Sequence, residues 1–172
     1  MGTSIISINV RGLGQKQKRL QVFQWLKDQN CSIYMLQETH LTKQRLDEWK
    51  QDWGGNIIHS GNSPNSEGVC ILFNPKINIR IEHVTDILSG RILACEVNLE
   101  NIIVTIVNIY GPNKDDTHVF EKLNTFLLEH NDKTFIIGGD FNTPLNCTID
   151  KLNGRLNTNK KMPKQNKSNY TN

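Results

Sequence analysis

The chain has 172 residues, which is enough for one domain with a substantial core and too few for two comfortable ones. Its mean hydropathy of −0.48 and the lack of an apolar stretch long enough to cross a bilayer exclude a membrane-spanning protein. The net charge of +3 excludes little by itself, because the charge is unevenly distributed along the chain.

The basic excess lies entirely at the C-terminus. Residues 151–172 contain six Lys or Arg and no acidic residue, whereas the first 150 residues carry a net negative charge. We therefore divide the chain into a domain over residues 1–150 and a basic, Asn- and Lys-rich tail over residues 151–172. The tail has too few apolar residues to order on its own, so we expect it to be disordered. It could add affinity for nucleic acid by counterion release, but charge alone does not predict DNA binding.

The N-terminus and the cysteines favour an intracellular protein. No basic region followed by a long apolar segment opens the chain, so no secretory signal is predicted. The four cysteines are widely separated and form no Cys-x-x-Cys pair. This is typical of reduced thiols rather than of disulfides or a zinc site. We expect a nuclear or cytoplasmic protein that is not secreted.

The first 50 residues alternate between strand and helix patterns. Strands are predicted at residues 4–10 and 32–37, with a helix between them at residues 15–30. The apolar stripe of this helix consists of Leu20, Phe23 and Leu26. A short helix is predicted at residues 42–49, with Thr42 as its N-cap.

A loop at residues 61–68 precedes a series of strands. Four strands are predicted in quick succession, at residues 69–73, 77–84, 92–99 and 102–110. The best helix pattern covers residues 115–130, and a last strand follows at residues 134–140. This order of elements predicts a layered α/β protein with sheets at its centre and helices outside.

Residues 134–142 read Thr-Phe-Ile-Ile-Gly-Gly-Asp-Phe-Asn and hold the strongest functional signal. The apolar run predicts a buried strand, and the two glycines allow tight backbone or close approach of another group. Asp140 and Asn142 then place a carboxylate and an amide at the strand end, where enzymes hold a metal or activate a water. An Asx-turn, in which both side chains only cap their own backbone, explains the pair about equally well.

Other polar residues stand at or near the ends of apolar strands: Asn9, Glu38, Asn108 and Tyr110. Strands that share a sheet can bring these ends to one rim beside Asp140, and carboxylate and amide oxygens suit Mg²⁺. Histidine and cysteine at zinc-ligand spacing are lacking. Taken singly, three of these residues have plainer explanations: a turn for Asn9, a strand-end acid for Glu38 and an aromatic plug for Tyr110.

Four blocks in this order carry a resemblance to a known family: INVRGL at 8–13, LQETHL at 36–41, NIYGP at 108–112 and GDFNTP at 139–144. With them the chain resembles the endonuclease/exonuclease/phosphatase superfamily. Within that superfamily it looks most like the endonuclease domain of LINE-type, non-LTR retrotransposons. The resemblance runs from Ile5 to about Asp150, and the ordered set of blocks is more specific than any one of them.

The resemblance implies a two-sheet β-sandwich flanked by helices, a four-layer αββα fold like that of deoxyribonucleases and abasic endonucleases. It implies phosphodiester hydrolysis with Mg²⁺ or Mn²⁺. By matched position, Glu38 would be the principal metal ligand with Asn9 beside it, and Asp140 would orient or deprotonate the attacking water. Asn142 would steady that water or the phosphate, and Tyr110 would contact the scissile phosphate.

The resemblance also implies DNA as the partner. Nicking of target DNA by a retrotransposon leaves a 3′-hydroxyl that primes reverse transcription, so a full-length element would add reverse transcriptase and RNA. Four basic residues near the first strand-to-helix junction are candidate contacts to DNA phosphates: Arg11, Lys16, Lys18 and Arg19. A solvated helix start explains these charges about equally well.

The chain departs from the family after residue 144. The family pattern continues to another aspartate and a Ser-Asp-His element, whereas all five histidines of this chain precede Asp140. We therefore expect a C-terminally truncated domain with an unpaired sheet edge and impaired nicking, and we leave open whether the chain is an active enzyme. An abasic-site nuclease, a phosphatase of the same superfamily and a non-catalytic retroelement remnant remain the alternatives.

Overall fold

The computed structural model describes residues 2–65, 67–112 and 117–143, and it divides them into helices and strands. In chain order these are β1 (Ile5–Asn9), α1 (Lys16–Gln29), β2 (Ile33–Gln37), α2 (Leu46–Trp53), β3 (Ile57–Ser60), β4 (Val69–Phe73), β5 (Arg80–Leu88), β6 (Ile92–Leu99), β7 (Ile102–Tyr110), α3 (His118–Glu129) and β8 (Phe135–Asp140). The predicted tail at residues 151–172, the end of the 1–150 domain and the first residues of the predicted 115–130 helix lie outside the described residues.

The strands form two mixed sheets of four strands each. Sheet A has the order β1-β2-β4-β3 and sheet B has the order β5-β6-β7-β8. The pairs β1–β2 and β7–β8 are parallel, and the other neighbours are antiparallel. Each sheet thus contributes one parallel pair, whose carboxyl ends lie side by side.

Side chains of β2 alternate between two cores, as the period of a strand requires. Ile33 and Met35 belong to a core between the two sheets, whereas Tyr34 and Leu36 belong to a core between sheet A and the helices α1 and α2. A third core lies between sheet B and α3. These four layers confirm the predicted two-sheet sandwich flanked by helices. Within the described ranges, no helix is long and apolar enough to cross a membrane.

An aromatic cluster holds the helices on sheet A. The Phe23 ring of α1 lies edge-on to Trp49 and Trp53 of α2, with ring centroids 5.8 and 5.3 Å apart, and Trp53 lies edge-on to Tyr34 of β2. The Trp53 indole nitrogen also donates a hydrogen bond to the Phe73 carbonyl of β4. Such edge-to-face pairs stabilise beyond the area they bury, so these rings fix the position of both helices.

A buried polar bridge crosses the core between the sheets. The Asn108 amide on β7 donates to the carbonyls of Leu36 and Cys70 on sheet A, at 3.0 and 2.8 Å. Its own oxygen accepts a 2.6 Å hydrogen bond from the Gln37 amide. Asn108 has no exposed surface, so it does not line the site rim; it pairs polar groups that would otherwise be buried without partners.

Asn108→Ala is expected to destabilise the fold by about 3 kcal/mol, because it leaves two carbonyls and the Gln37 amide buried without their partner. Urea unfolding measures this free energy. The matched control is Asn98→Ala, at a partly exposed position of β6 whose side chain accepts one hydrogen bond from a neighbouring turn. Equal stability of the two variants would show that the bridge contributes nothing.

Two predicted elements differ at their ends. The short helix begins as a 3₁₀ turn at Lys43–Arg45 and continues as α2, and Thr42 makes no side-chain cap hydrogen bond. The strand predicted at residues 77–84 is β5, displaced towards the C-terminus, because a turn that starts at Asn74 occupies residues 74–79. Ile79 is nevertheless buried in the inter-sheet core.

One strand was missed and one was predicted with the wrong burial. β3 has only two apolar residues before His59, too few for a strand pattern, and it pairs with β4 at the edge of sheet A. β8 was predicted as a buried strand, but Ile136 and Ile137 are 38% and 39% exposed. Of the strands described, β8 has only β7 as its neighbour, which explains this exposure.

Candidate active site

The carboxyl ends of the two parallel pairs meet at one rim of the sandwich. Asn9 ends β1, Glu38 follows β2, Tyr110 ends β7 and Asp140 ends β8. Asn9 pairs with Gln37 in the β1–β2 ladder and Tyr110 pairs with Asp140 in the β7–β8 ladder, so each ladder delivers two neighbouring ends. The structure thus brings together four of the residues predicted for the site.

The Asn9 amide joins the two carboxylates. Its nitrogen donates to Glu38 Oε1 at 2.8 Å and to Asp140 Oδ2 at 2.8 Å, which connects sheet A to sheet B. Two carboxylates can only accept, so this orientation of the amide is the one they require. The Asn9 oxygen accepts the backbone N–H of Arg11 at 3.0 Å. Asn9 therefore holds two negative groups within a few ångströms of each other.

Glu38 is held from both sides. Its Oε1 also accepts a 2.8 Å hydrogen bond from the Tyr110 hydroxyl, and its backbone adopts a φ of 52°. This left-handed conformation costs energy in a residue with a side chain. It turns the chain sharply after β2, and the Glu38 carbonyl accepts the N–H of Gly12. The carboxylate is thereby aimed at the rim rather than along the strand.

Asp140 and Asn142 form the Asx-turn that was one interpretation of their motif. Asp140 Oδ1 accepts the Asn142 backbone N–H at 3.1 Å, which is an Asx-turn, while Asp140 Oδ2 faces Asn9. The Asn142 side chain donates to the Gly111 carbonyl at 2.9 Å. The turn therefore orients the Asp140 carboxylate and leaves Oδ2 on the Asn9 amide at the rim.

Glycine is required where β8 approaches β7. Gly139 has a φ of 147°, and a Cβ there would overlap the backbone carbonyl of Ile109. A Cβ at Gly111 would overlap the Phe141 carbonyl in the same way. These close approaches explain the glycine before Asp140 and allow the last residues of the two strands to pack without side chains between them.

The acidic pair fits a hard divalent cation. Among the described side chains, neither Glu38 nor Asp140 has a Lys or Arg ion-pair partner. Both hydrogen bonds to Glu38 named above arrive at Oε1. Within the described ranges, no three His, Cys, Asp or Glu residues group as a metal site. Mg²⁺ keeps several waters and takes one or two carboxylates from a protein, so the two acids with the Asn9 amide match its needs.

The predicted DNA contacts divide into two groups. Arg11, in the loop after β1, and Lys16, the first residue of α1, are exposed. The Lys18 ammonium instead donates to three carbonyls, those of Val10, Arg11 and Gly12, at 2.8–2.9 Å. All three ammonium donors are thus used to hold the loop after β1, which argues against a DNA contact by Lys18.

Arg19 has no exposed surface. Its guanidinium donates to Asp52 at 2.6 and 2.9 Å and to Glu48 at 2.5 Å, and it lies over the Trp49 ring. The prediction that Arg19 contacts DNA is therefore corrected, because its guanidinium forms ion pairs that join α1 to α2. A hydrogen bond from Arg19 lowers the pKa of Glu48 below its usual value.

Arg91 and Glu67 were not predicted from the sequence, although they lie directly behind Tyr110. The Arg91 guanidinium lies 4.5 Å from the centre of the Tyr110 ring and donates to Glu67 at 2.8 Å. Neither residue belongs to a strand-end block, so the pattern that identified the other site residues could not find them. Only the folded chain brings them to the rim, where Arg91 lies against the Tyr110 ring.

Known proteins match most of the chain. Residues 6–154 match the Endonuclease/Exonuclease/phosphatase family. Over 150 residues, which is 86% of this chain, the sequence is 29% identical to a Xenopus laevis protein named "Transposon TX1 uncharacterized 149 kDa protein". The chain spans 12% of the length of that relative.

Solved structures share the fold at low sequence identity. The endonuclease domain of TRAS1, a telomere-specific non-LTR retrotransposon, superposes with a TM-score of 0.61 at 13% identity, covering 82% of this chain and 61% of that one. An AP endonuclease from Archaeoglobus fulgidus gives 0.58 at 18% identity, covering 81% and 56%. A mannosyl-6-phosphatase from Bacteroides thetaiotaomicron gives 0.61 at 15% identity, covering 82% and 66%.

Proposed function

Because the chain belongs to the endonuclease/exonuclease/phosphatase family, we propose that its rim site hydrolyses phosphodiester bonds in DNA. The observation that carries this proposal is the Asn9 amide, which binds Glu38 and Asp140 at 2.8 Å each and so pairs two acids that lack a cationic partner among the described residues. We propose that the domain occupies residues 1–150, followed by a separate tail at residues 151–172.

The side chains would divide the work. Asp140 is oriented by the Asn142 N–H and the Asn9 amide, and its carboxylate would aim the attacking water or take its proton. Tyr110 would turn its hydroxyl from Glu38 to the scissile phosphate when DNA binds. Asn142, exposed beside Asp140, would steady the water or a phosphate oxygen.

Glu38 would hold a divalent cation, Mg²⁺ or Mn²⁺, and Asn9 would become a further ligand if its amide turned the oxygen from the Arg11 N–H towards the cation. When bound there, the cation would neutralise charge that develops on the phosphate and on the leaving oxygen. The protein supplies the rigidity: the Asn9 amide holds one oxygen of Glu38 in place, so this carboxylate needs little reorganisation when DNA arrives.

The relatives favour a mobile-element context. One relative is a transposon protein and one structural neighbour is the endonuclease domain of a non-LTR retrotransposon. We propose that the chain nicks target DNA and leaves a 3′-hydroxyl for reverse transcription, and that reverse transcriptase and RNA are partners in the element. Arg11 and Lys16, the two exposed candidates, would contact DNA phosphates. Because such contacts release counterions, DNA binding would weaken as the salt concentration rises.

A panel of substrates tests this function. We expect the full chain to convert supercoiled plasmid to the open circular form with Mg²⁺ and not with EDTA, and to leave ends that a DNA polymerase extends directly. Cleavage confined to an abasic duplex would favour a repair nuclease, as the AP endonuclease neighbour suggests. Phosphate release from an inositol phosphate would favour a phosphatase. A salt-dependent gel shift without metal-dependent cleavage would indicate a non-catalytic remnant.

A further inference from the structure

Arg91 makes four contacts at or beside Tyr110. Its guanidinium lies 4.5 Å from the centre of the Tyr110 ring. It donates to the Gly111 carbonyl at 3.0 Å and to Glu67 Oε1 at 2.8 Å. Its own carbonyl accepts the Tyr110 N–H at 2.7 Å. Arg91 therefore contacts both the ring and the backbone of Tyr110.

The loop that carries Glu67 closes a ring of contacts around Glu38. The Glu67 carbonyl accepts the His40 N–H at 3.1 Å, and the next residue, Gly68, accepts the Thr39 N–H at 3.0 Å. The Gly68 N–H in turn donates to Gly90, directly before Arg91, at 3.1 Å. The path from Glu38 through Tyr110, Arg91 and Glu67 thus returns to the segment that holds Glu38.

The Gly111 carbonyl links this ring to the other acid. It accepts Arg91 at 3.0 Å and Asn142 at 2.9 Å, while the Gly111 N–H donates to the Asp140 carbonyl at 2.6 Å. Displacement of Arg91 would therefore loosen two site residues at once, Tyr110 on β7 and Asn142 after β8.

We propose that Arg91, oriented by Glu67, is a positioning residue that fixes the Tyr110 ring, and with it the hydroxyl, at the rim and fixes the Gly111 carbonyl under Asn142. This proposal rests on the proposed phosphodiesterase function. A planar guanidinium can stack on a ring and donate in two directions at once, which a lysine ammonium cannot do in the same geometry. Arg91 acts through Tyr110, so it raises kcat without touching the substrate.

Kinetics of Arg91→Lys and Arg91→Ala test the proposal. We expect kcat for duplex nicking to fall by about ten-fold or more in both variants while KM changes by less than about two-fold. Glu67→Gln should have a smaller effect in the same direction. The matched controls are Arg80→Lys and Arg80→Ala, because Arg80 forms an exposed ion pair with Glu82 away from the rim. These controls should keep the wild-type kcat.

A double variant shows whether Arg91 acts through Tyr110. The loss of kcat in Arg91→Lys combined with Tyr110→Phe should be smaller than the product of the two single losses, because the second change removes one of the two groups that Arg91 positions. Multiplicative effects would overturn the proposal, as would a wild-type kcat for Arg91→Lys.

A second readout does not depend on activity. In protein labelled with ¹³C at Cζ of tyrosine, the Tyr110 resonance, assigned by Tyr110→Phe, should shift in Arg91→Lys while that of Tyr34 stays unchanged. Arg80→Lys should shift neither resonance. An unshifted Tyr110 resonance would overturn the proposal. If the wild-type protein lacked metal-dependent nicking, the proposed function would fail, and this resonance would still decide whether Arg91 positions Tyr110.

Discussion

Glu38→Gln is expected to lower the rate of Mg²⁺-dependent nicking by about a thousand-fold. The glutamine oxygen can still accept the hydrogen bonds that Asn9 and Tyr110 now donate to Oε1. The fold should therefore persist, and the variant loses only the negative charge of Glu38. The measurement is the rate of open-circle formation from supercoiled plasmid, with the enzyme in excess so that slow turnover is visible.

Asp140→Asn should lower the nicking rate by a similar factor, because an amide cannot take a proton from water. An asparagine also has only one oxygen, so it cannot accept both hydrogen bonds that the two Asp140 oxygens now accept. Combining the two changes should cost little more than either alone, since the acids act as one unit. Glu129→Gln, on the exposed surface of α3, is the matched control and should nick at the wild-type rate. Unchanged nicking by Glu38→Gln would contradict the assignment of the site.

Arg19→Met is expected to destabilise the fold by about 3–5 kcal/mol, because it leaves Asp52 without its cation in a largely buried position. Asp52 is only 12% exposed, and Arg19 has no exposed side-chain surface. The Trp49 ring also loses the guanidinium that lies 5.3 Å from its centre. Urea unfolding at neutral pH measures the loss. Because Arg19 lowers the pKa of Glu48, the difference between wild type and variant should narrow as acid protonates that carboxylate.

Lys16→Met is the matched control for Arg19→Met, since Lys16 is exposed at the start of the same helix. It should leave the stability unchanged and weaken DNA binding with a shallower salt dependence. A stable Arg19→Met protein that had lost DNA affinity would restore the original prediction that Arg19 contacts phosphates.

The site residues were predictable because their positions depend on strand ends. A strand pattern shows where an apolar run stops, and parallel neighbours deliver their carboxyl ends to the same edge. Asn9, Glu38, Tyr110 and Asp140 all follow this rule. The ordered sequence blocks gave the family, which the match over residues 6–154 confirms. The residue roles stay predictions until the variants are measured.

Helix α1 shows what a pattern of apolar residues misses. Its expected stripe was Leu20, Phe23 and Leu26, but Leu20 is 42% exposed and the third buried residue is Arg19. An arginine replaces an apolar residue in the stripe because two acids of α2 neutralise it. A periodic pattern of apolar residues does not predict a buried charge whose partners lie on another helix.

The Arg91–Glu67 pair was beyond the reach of the sequence for a similar reason. The two residues are 24 positions apart and meet only because the loop after β3 folds over the turn between β5 and β6. The backbone at Glu67 is left-handed, with a φ of 62°, and a glutamate in a sequence does not predict this conformation. Contacts of this kind require the assembled fold.

The most direct test of a metal centre at the rim is a titration of the full chain with Mn²⁺. The electron paramagnetic resonance signal of the free ion measures how much Mn²⁺ is bound. One ion per chain is expected to bind to the wild type and to Glu129→Gln. The double variant Glu38→Gln, Asp140→Asn should lose that ion while keeping its circular dichroism spectrum and its melting transition. Equal Mn²⁺ binding by the folded double variant would contradict a metal centre built from Glu38 and Asp140.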